Sequence, residues 1–380
     1  MKRTLCMLLL CAALLPGRVC GPEPLRDGAM PVAAPSAILM EQETGTVLYE
    51  KNADARMTPA SVTKVMTMLL IAEDLEAGKI QTEDTVTASA RAASFGGSCV
   101  FLEEGERMSV DEMLKCIAVV SANDCAVAMA EHLCGTEELF VERMNRRAEE
   151  LGLTNTHFTN CTGLFDDEDH YTSARDIAVL SRELMKHPLI RDYTTIWMDS
   201  IRGGTFELAN TNKLVYWYPG CTGLKTGYTS KAMYCLAATA ERDGVAFIAV
   251  IMHGESAESR NADATALLNY AFANFSLCSL RPEADLPELP VEMGREASVP
   301  LTYGGESKAL VPRGGAPAAY ALALPELLSA PVEAGQQVGT LTVTLAGETV
   351  AEVPILAAES VGRIGFWGIF KKLAGSLIGL

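Results

Sequence analysis

Three short constellations in this chain hold the residue types that nucleophilic catalysis needs. Ser61-Val-Thr-Lys64 sets a hydroxyl and an amine three residues apart, on one face of a helix. Serine is a weak nucleophile until a base takes its proton, and lysine becomes that base when burial or a neighbouring cation lowers its pKa. Ser121-Ala-Asn123 adds a second hydroxyl and a carboxamide. Lys225-Thr226-Gly227 adds a cation, a third hydroxyl and a residue without Cβ. By composition a Ser-x-x-Lys arises roughly 0.6 times by chance, a Ser-x-Asn about 0.5 times and a Lys-Thr-Gly about 0.07 times. Each alone has a bland reading, such as an ordinary helix start with a solvated lysine. The three in this order are a far stronger signal than any member.

The elements around them follow from period and punctuation. Thr58 as a cap, Pro59 at the first helical position, the apolar run Val65 to Leu75 and Gly78 as a stop predict a core helix with Ser61 and Lys64 in its first turn. Unpaired amides there, Ser61 N–H among them, could hold an oxyanion. Ser109-Val-Asp-Glu112 is a capping box opening a helix to about Val120, which leaves Ser121 to Asp124 in a turn. Further helices are predicted at about 124–134, 137–151 and 173–187. From Thr222 the period shortens: GLKTGYT, AMYCLAATAE and, after the turn Arg242-Asp243-Gly244, VAFIAVIM read as three adjacent antiparallel strands. Ser36 to Lys51 reads as two strands around Glu43-Thr44-Gly45, and Asn261 to Phe275 as helix. The expectation is an α/β domain over 30–277, an antiparallel sheet joined to a helical region. Residues 281–358, rich in Pro, Gly, Val and Thr in short alternating runs, predict a small C-terminal all-β domain.

With 380 residues, 49% hydrophobic and 21% charged, the chain has the composition of a folded protein. Its net charge of −17 argues against nucleic acid as a partner. Lys2 and Arg3, the apolar run Leu5 to Leu15 and the break at Pro16-Gly17 describe a signal peptide over 1–21, with lipidation at Cys20 as the rival reading. At the other end, 363–380 is predicted as an amphipathic helix, its periodicity putting Phe366, Trp367, Phe370, Leu373, Ala374, Leu377 and Ile378 on one arc and Lys371 and Lys372 opposite. Such a helix suits a membrane surface, and the alternative is a terminal helix docked on its own domain. The eight cysteines beyond the leader include Cys116, Cys125 and Cys134 in helical apolar patterns and Cys235 in a strand pattern, which suggests buried thiols. No CxxC or HxxxH occurs, and the acidic run Asp166 to Asp169 lacks the ligand spacing of a calcium loop, so neither a metal nor a cofactor is expected.

In their order and on their expected elements, the three constellations resemble the penicillin-recognising active-site serine enzymes. Within that group the chain is more similar to the low-molecular-mass D-alanyl-D-alanine carboxypeptidases of peptidase family S11. The likeness runs from about 33 to 275 through PASVTKVMT, SANDCAVAMAEH, FVERMNRRAEELGLTNTHFTNCTGL, HYTSARDIA and GLKTGYTSKAMYCLAATAERDG. The family also carries a C-terminal β-rich domain and often an amphipathic anchor.

The resemblance implies that Ser61 attacks the bond between the terminal D-alanines of a peptidoglycan stem peptide, with Lys64 as base. It implies amides of Ser61 and Tyr228 at the oxyanion, Ser121 as proton relay, and Asn123 orienting Lys64 and bonding the substrate backbone. Lys225 would supply positive potential and help keep Lys64 neutral. Thr226, with Gly227 completing the triplet, would meet the substrate carboxylate, and β-lactams would acylate the same serine. Arg260 stands where related enzymes place a carboxylate-binding arginine, against the alternative of a surface arginine at a helix start. Two departures from the family pattern are visible: Thr211 at a position where a second arginine occurs in related enzymes, and Met233 in place of a frequent glycine, expected to touch packing only. His170 and Tyr171 are expected to cap and pack a loop-to-helix junction. An exported location on the outer face of the cytoplasmic membrane follows from the two ends. The rival functions are a serine β-lactamase, though no equivalent of its deacylating glutamate is evident, and a catalytically inactive wall-associated structural protein.

Overall fold

The computed structural model describes residues 22–370 except 166 and 316. The expected leader, the last ten residues of the amphipathic segment and Asp166 lie outside the described residues. The chain forms two compact units, Pro22–Ser276 and the residues from Leu277 onward.

The first unit is built on a six-stranded sheet of β1 (Leu25–Arg26), β2 (Ser36–Glu41), β3 (Val47–Lys51), β4 (Cys221–Thr229), β5 (Met233–Arg242) and β6 (Val245–Gly254). Their order is β1-β3-β2-β6-β5-β4, antiparallel except for the short parallel pair β1/β3. The sheet therefore joins residues two hundred positions apart, as the strand segments flanking a helical block require. Strand β6 is buried along most of its length, and its unbroken apolar run is what a strand covered on both faces must have.

The longer helices of this unit are α1 (Lys64–Glu76), α2 (Val110–Val119), α3 (Asn123–Cys134), α4 (Glu137–Glu150), α5 (Ala174–Leu184), α6 (Pro188–Thr194) and α7 (Ala257–Asn274). Ten of the thirteen residues of α1 are buried, which makes it the helix that α2, α3, α4 and α5 pack around. Both halves of the Ser109–Glu112 capping box form. Ser173 caps α5 by accepting from the Asp176 amide.

Two local expectations need correction. Thr58 does not cap α1: a one-turn 3-10 helix, Ala60–Thr63, precedes it with Pro59 in the cap position and no side-chain cap bond. Ser61 therefore sits in a tighter turn than the first turn of an α-helix. Met233 is not a packing substitution. It is 37% exposed at φ 51, a left-handed backbone that favours glycine and costs another residue roughly 1–2 kcal/mol.

The second unit is all-β over its described strands. Leu301–Tyr303, Glu348–Ala357, Gln337–Leu345 and Ala319–Ala323 form a four-stranded antiparallel sheet in that order. Leu289–Glu292 sits between Ser298–Val299 and Leu328–Ser329 in a second sheet. Inward positions of the alternating run 337–345, Leu341 and Val343, meet Val353 and Ile355 in a core with Leu289, Val291 and Val311. Residues 366–370 are helical, with Phe366 75%, Trp367 74% and Phe370 58% exposed.

Candidate active site

The 3-10 turn that carries Ser61 is held from two sides by glycines. Ala60 has φ 49, an uncommon backbone for alanine, immediately before Ser61. Strand β4 crosses this turn at Gly227, where a Cβ would lie 2.8 Å from Pro59 O and 3.1 Å from Ser61 N. On the other side Gly163, at φ +71, lies so close that a Cβ would stand 1.9 Å from Ala60 O. Only residues without side chains allow backbone to approach this closely.

Lys64 opens α1 and points back over the turn. Its Nζ lies 3.0 Å from Ser61 Oγ, 2.6 Å from Asn123 Oδ1 and 2.8 Å from Thr162 O. The side chain is fully buried, and burial lowers its pKa to about 7, partly opposed by Cys161, Cys99 and Asp124. Asn123 is fixed in turn: its Nδ2 donates to Gly96 O at 2.8 Å and its N–H to Ser98 O at 2.7 Å. The next residue, Asp124, accepts from the amides of Val100 and Leu102, tying the 98–102 loop to the start of α3. Ser121 lies in the turn between α2 and α3 at φ 64, and its buried Oγ has no hydrogen-bond partner among the described residues.

Lys225 is buried on β4, its Nζ donating to Thr226 O at 2.9 Å. Its pKa is pushed well down by burial first and then by the charges of Lys64 and Arg260. Lowering of Lys64 is thus a matter of desolvation, and it is Lys225 that feels the like charges. Arg260, expected either at the carboxylate or on the surface, is only 5% exposed and close enough to act on Lys225. Burial lowers its pKa to about 10, and its guanidinium donates to Asn261 Oδ1 and Cys235 O. Thr226 Oγ1 donates to Thr211 Oγ1 at 2.8 Å, so the departure at Thr211 places a hydroxyl against the Lys-Thr-Gly strand. Tyr228 is 57% exposed and stacks on Tyr234 with centroids 4.5 Å apart.

All nine residues singled out by the sequence thus fall on the 3-10 turn, the start of α1, the α2–α3 turn, the start of α3, β4 and the start of α7. Pattern reading missed three contributors. The Thr162 carbonyl is a backbone group with no side-chain signature. Gly163 is one of 31 glycines, and nothing local marks its contact with Ala60. His170, expected only at a junction, is fully buried with Nε2 2.8 Å from Thr63 Oγ1.

Comparisons with known proteins bear on the family and the fold. Residues 24–256 match the family model of peptidase S11, D-alanyl-D-alanine carboxypeptidase, and residues 284–363 match the penicillin-binding protein 5 C-terminal domain. The chain is 42% identical to the D-alanyl-D-alanine carboxypeptidase DacF of Bacillus subtilis over 99% of its own length and 98% of that protein's. It is 33% identical to DacC of Escherichia coli over 89% of this chain and 88% of that one. Among solved structures, penicillin-binding protein 5 of Haemophilus influenzae superposes with a TM-score of 0.77 at 30% identity, covering 90% of this chain and all of that one. With its catalytic fold, its β-rich second unit and its sequence all in accord, the chain belongs to the peptidase S11 family of serine-type D-alanyl-D-alanine carboxypeptidases.

Proposed function

We propose that Ser61 is the residue acylated when this enzyme removes the terminal D-alanine from a peptidoglycan stem peptide. The observation that carries this reading is the buried Lys64 Nζ at 3.0 Å from Ser61 Oγ, with a pKa of about 7. An amine that is uncharged near neutrality takes the hydroxyl proton as Ser61 Oγ bonds to the carbonyl carbon. The oxyanion lies between the amides of Ser61 and Tyr228; Gly227, where a Cβ would stand 3.1 Å from Ser61 N, lets the strand that carries Tyr228 pass close to the turn. As the C–N bond breaks, the D-alanine nitrogen receives a proton through Ser121, whose unpaired hydroxyl faces no competing partner among the described residues. Asn123 orients Lys64 and bonds the peptide backbone. Lys225, Thr226 and Arg260 attract and bind the terminal carboxylate, and water then hydrolyses the ester.

The test is D-alanine release from a peptide ending in D-Ala-D-Ala, with and without penicillin, for wild type and Ser61→Ala. Release by wild type alone, abolished by penicillin through a long-lived adduct on Ser61, is the expected result. Rapid turnover of nitrocefin would favour a β-lactamase instead.

The two ends of the chain support an exported enzyme held on the outer face of the cytoplasmic membrane. Phe366, Trp367 and Phe370 are exposed and precede Lys371 and Lys372, the composition of an interfacial helix. No helix of the described residues is long and apolar enough to cross a membrane. Deleting 363–380 from the exported chain should release an active enzyme from anionic lipid vesicles. Equal sedimentation of both forms with the vesicles would show that the segment is not the anchor.

A further inference from the structure

We infer that His170 is a positioning residue for the nucleophile, acting through Thr63 on the strained Ala60–Ser61 turn. The inference rests on Ser61 being the nucleophile. His170 is fully buried, lies 109 positions from Ser61 in sequence, and neither of its ring nitrogens faces solvent. Nδ1 accepts from the Thr159 amide at 3.0 Å, which leaves the proton on Nε2. Nε2–H then donates to Thr63 Oγ1 at 2.8 Å, and Thr63 Oγ1–H donates to Ala60 O at 2.8 Å. The result is a directed chain, Thr159 amide to imidazole to hydroxyl to Ala60 carbonyl, in which every bond polarises the next.

Its end point is the informative part. The Ala60 carbonyl belongs to the peptide whose nitrogen is Ser61 N, the amide proposed at the oxyanion. Ala60 itself is held at φ 49, a conformation alanine adopts only when its surroundings impose it. Thr63 lies on the same turn, so its hydroxyl bond to Ala60 O closes the turn on itself, and the imidazole fixes the hydroxyl's direction.

The other side of the ring reaches the base. Thr159 and Asn160 border the 160–163 loop, where Asn160 Oδ1 accepts from the amides of Thr162 and Gly163. Thr162 O of that loop receives Lys64 Nζ. One buried ring therefore spans the turn that carries Ser61 and the loop that holds Lys64. A misplacement of about 1 Å between such groups costs on the order of a hundredfold in rate.

The experiment compares His170→Ala, His170→Gln, Thr63→Val and the double variant His170→Ala/Thr63→Val in the full chain. Its readouts are the penicillin acylation rate, kcat and KM on a D-Ala-D-Ala peptide, and thermal melting. His170→Ala and Thr63→Val should each slow acylation and lower kcat by about 10- to 100-fold, with KM within about twofold. Gln can donate to Thr63 and accept from Thr159, so His170→Gln should recover to within about threefold of wild type. Because both residues act through one chain of bonds, the double variant should be no slower than the slower single. Folded His170→Ala or Thr63→Val that acylates at the wild-type rate would overturn the inference, as would losses that multiply in the double variant. A purely structural histidine would lower the melting temperature and leave the rate per folded molecule unchanged. If His170→Ala does not melt cooperatively, Thr63→Val and His170→Gln decide the matter: a wild-type rate for the first, or a slow second, overturns it. Mapping the penicilloyl group to a residue other than Ser61 would instead remove the reading on which the inference stands.

Discussion

Lys64→Ala should slow both D-alanine release and penicillin acylation by about 10²–10⁴-fold, and Lys64→Arg should not restore them. The lysine is placed by three acceptors, Ser61 Oγ, Asn123 Oδ1 and Thr162 O, and full burial brings its pKa to about 7. A guanidinium retains its proton under all accessible conditions, so arginine would fill the space and still fail as a base. For the wild type the sign of the pH dependence follows directly. Below about pH 7 the amine is protonated and cannot accept the hydroxyl proton, so kcat/KM rises with pH through an acidic limb near 7. Stopped-flow acylation across pH 5 to 9 measures that limb. A rate independent of pH, or a Lys64→Arg variant with wild-type activity, would exclude Lys64 as the base. The same burial links folding to pH. Between about 7 and the ordinary lysine value of 10.5 the unfolded chain holds a proton that folded Lys64 does not, so its contribution to stability rises with pH across that window.

The second large effect is steric, and the protein contains its own control. Gly163 and Gly152 both sit at φ +71, but a Cβ at Gly163 meets Ala60 O at 1.9 Å and Thr63 Oγ1 at 2.6 Å, whereas at Gly152 nothing lies within 4 Å. Gly152→Ala therefore bears only the backbone strain, about 1–2 kcal/mol, or a fall in melting temperature of roughly 2–8 °C. Gly163→Ala adds an overlap with backbone that cannot rotate away, and should cost about 3 kcal/mol or more, a fall of roughly 10 °C. Any folded fraction of Gly163→Ala should acylate slowly, because the clash falls on the turn carrying Ser61. Calorimetry on the two variants decides the matter. Equal melting temperatures would mean that the 160–163 loop yields easily and does not brace the nucleophile.

Much of the site was legible because its chemistry is written in side-chain types. Ser61 and Lys64 three apart, Asn123 just after a capping-box helix, and Lys225 to Gly227 on a strand of clear period are local patterns, and local patterns survive without knowledge of the fold. The helix boundaries near 110–119, 123–134 and 137–150 were legible for the same reason: caps and apolar spacing are set within one or two turns. Thr58 was misread because Ser/Thr before an apolar run signals a cap, while packing of β4 and the 160–163 loop against the turn imposes a 3-10 geometry instead. Met233 was misread because a side-chain substitution looks like packing until its φ is known.

Residue types and their spacing establish which groups exist, in which order, and on which kind of element: a nucleophile, an amine, a carboxamide and a cation on helix, turn and strand. That they act as one site is a property of the folded chain. Lys64 becomes a base because surrounding chain excludes water from it, and no neighbour in sequence can do that. Ser61 is held by glycines 102 and 166 positions away and by a histidine 109 positions away, whose effect comes from close approach of backbone and a relayed hydrogen bond. Desolvation and steric contact depend on distances in space, and a linear pattern carries neither.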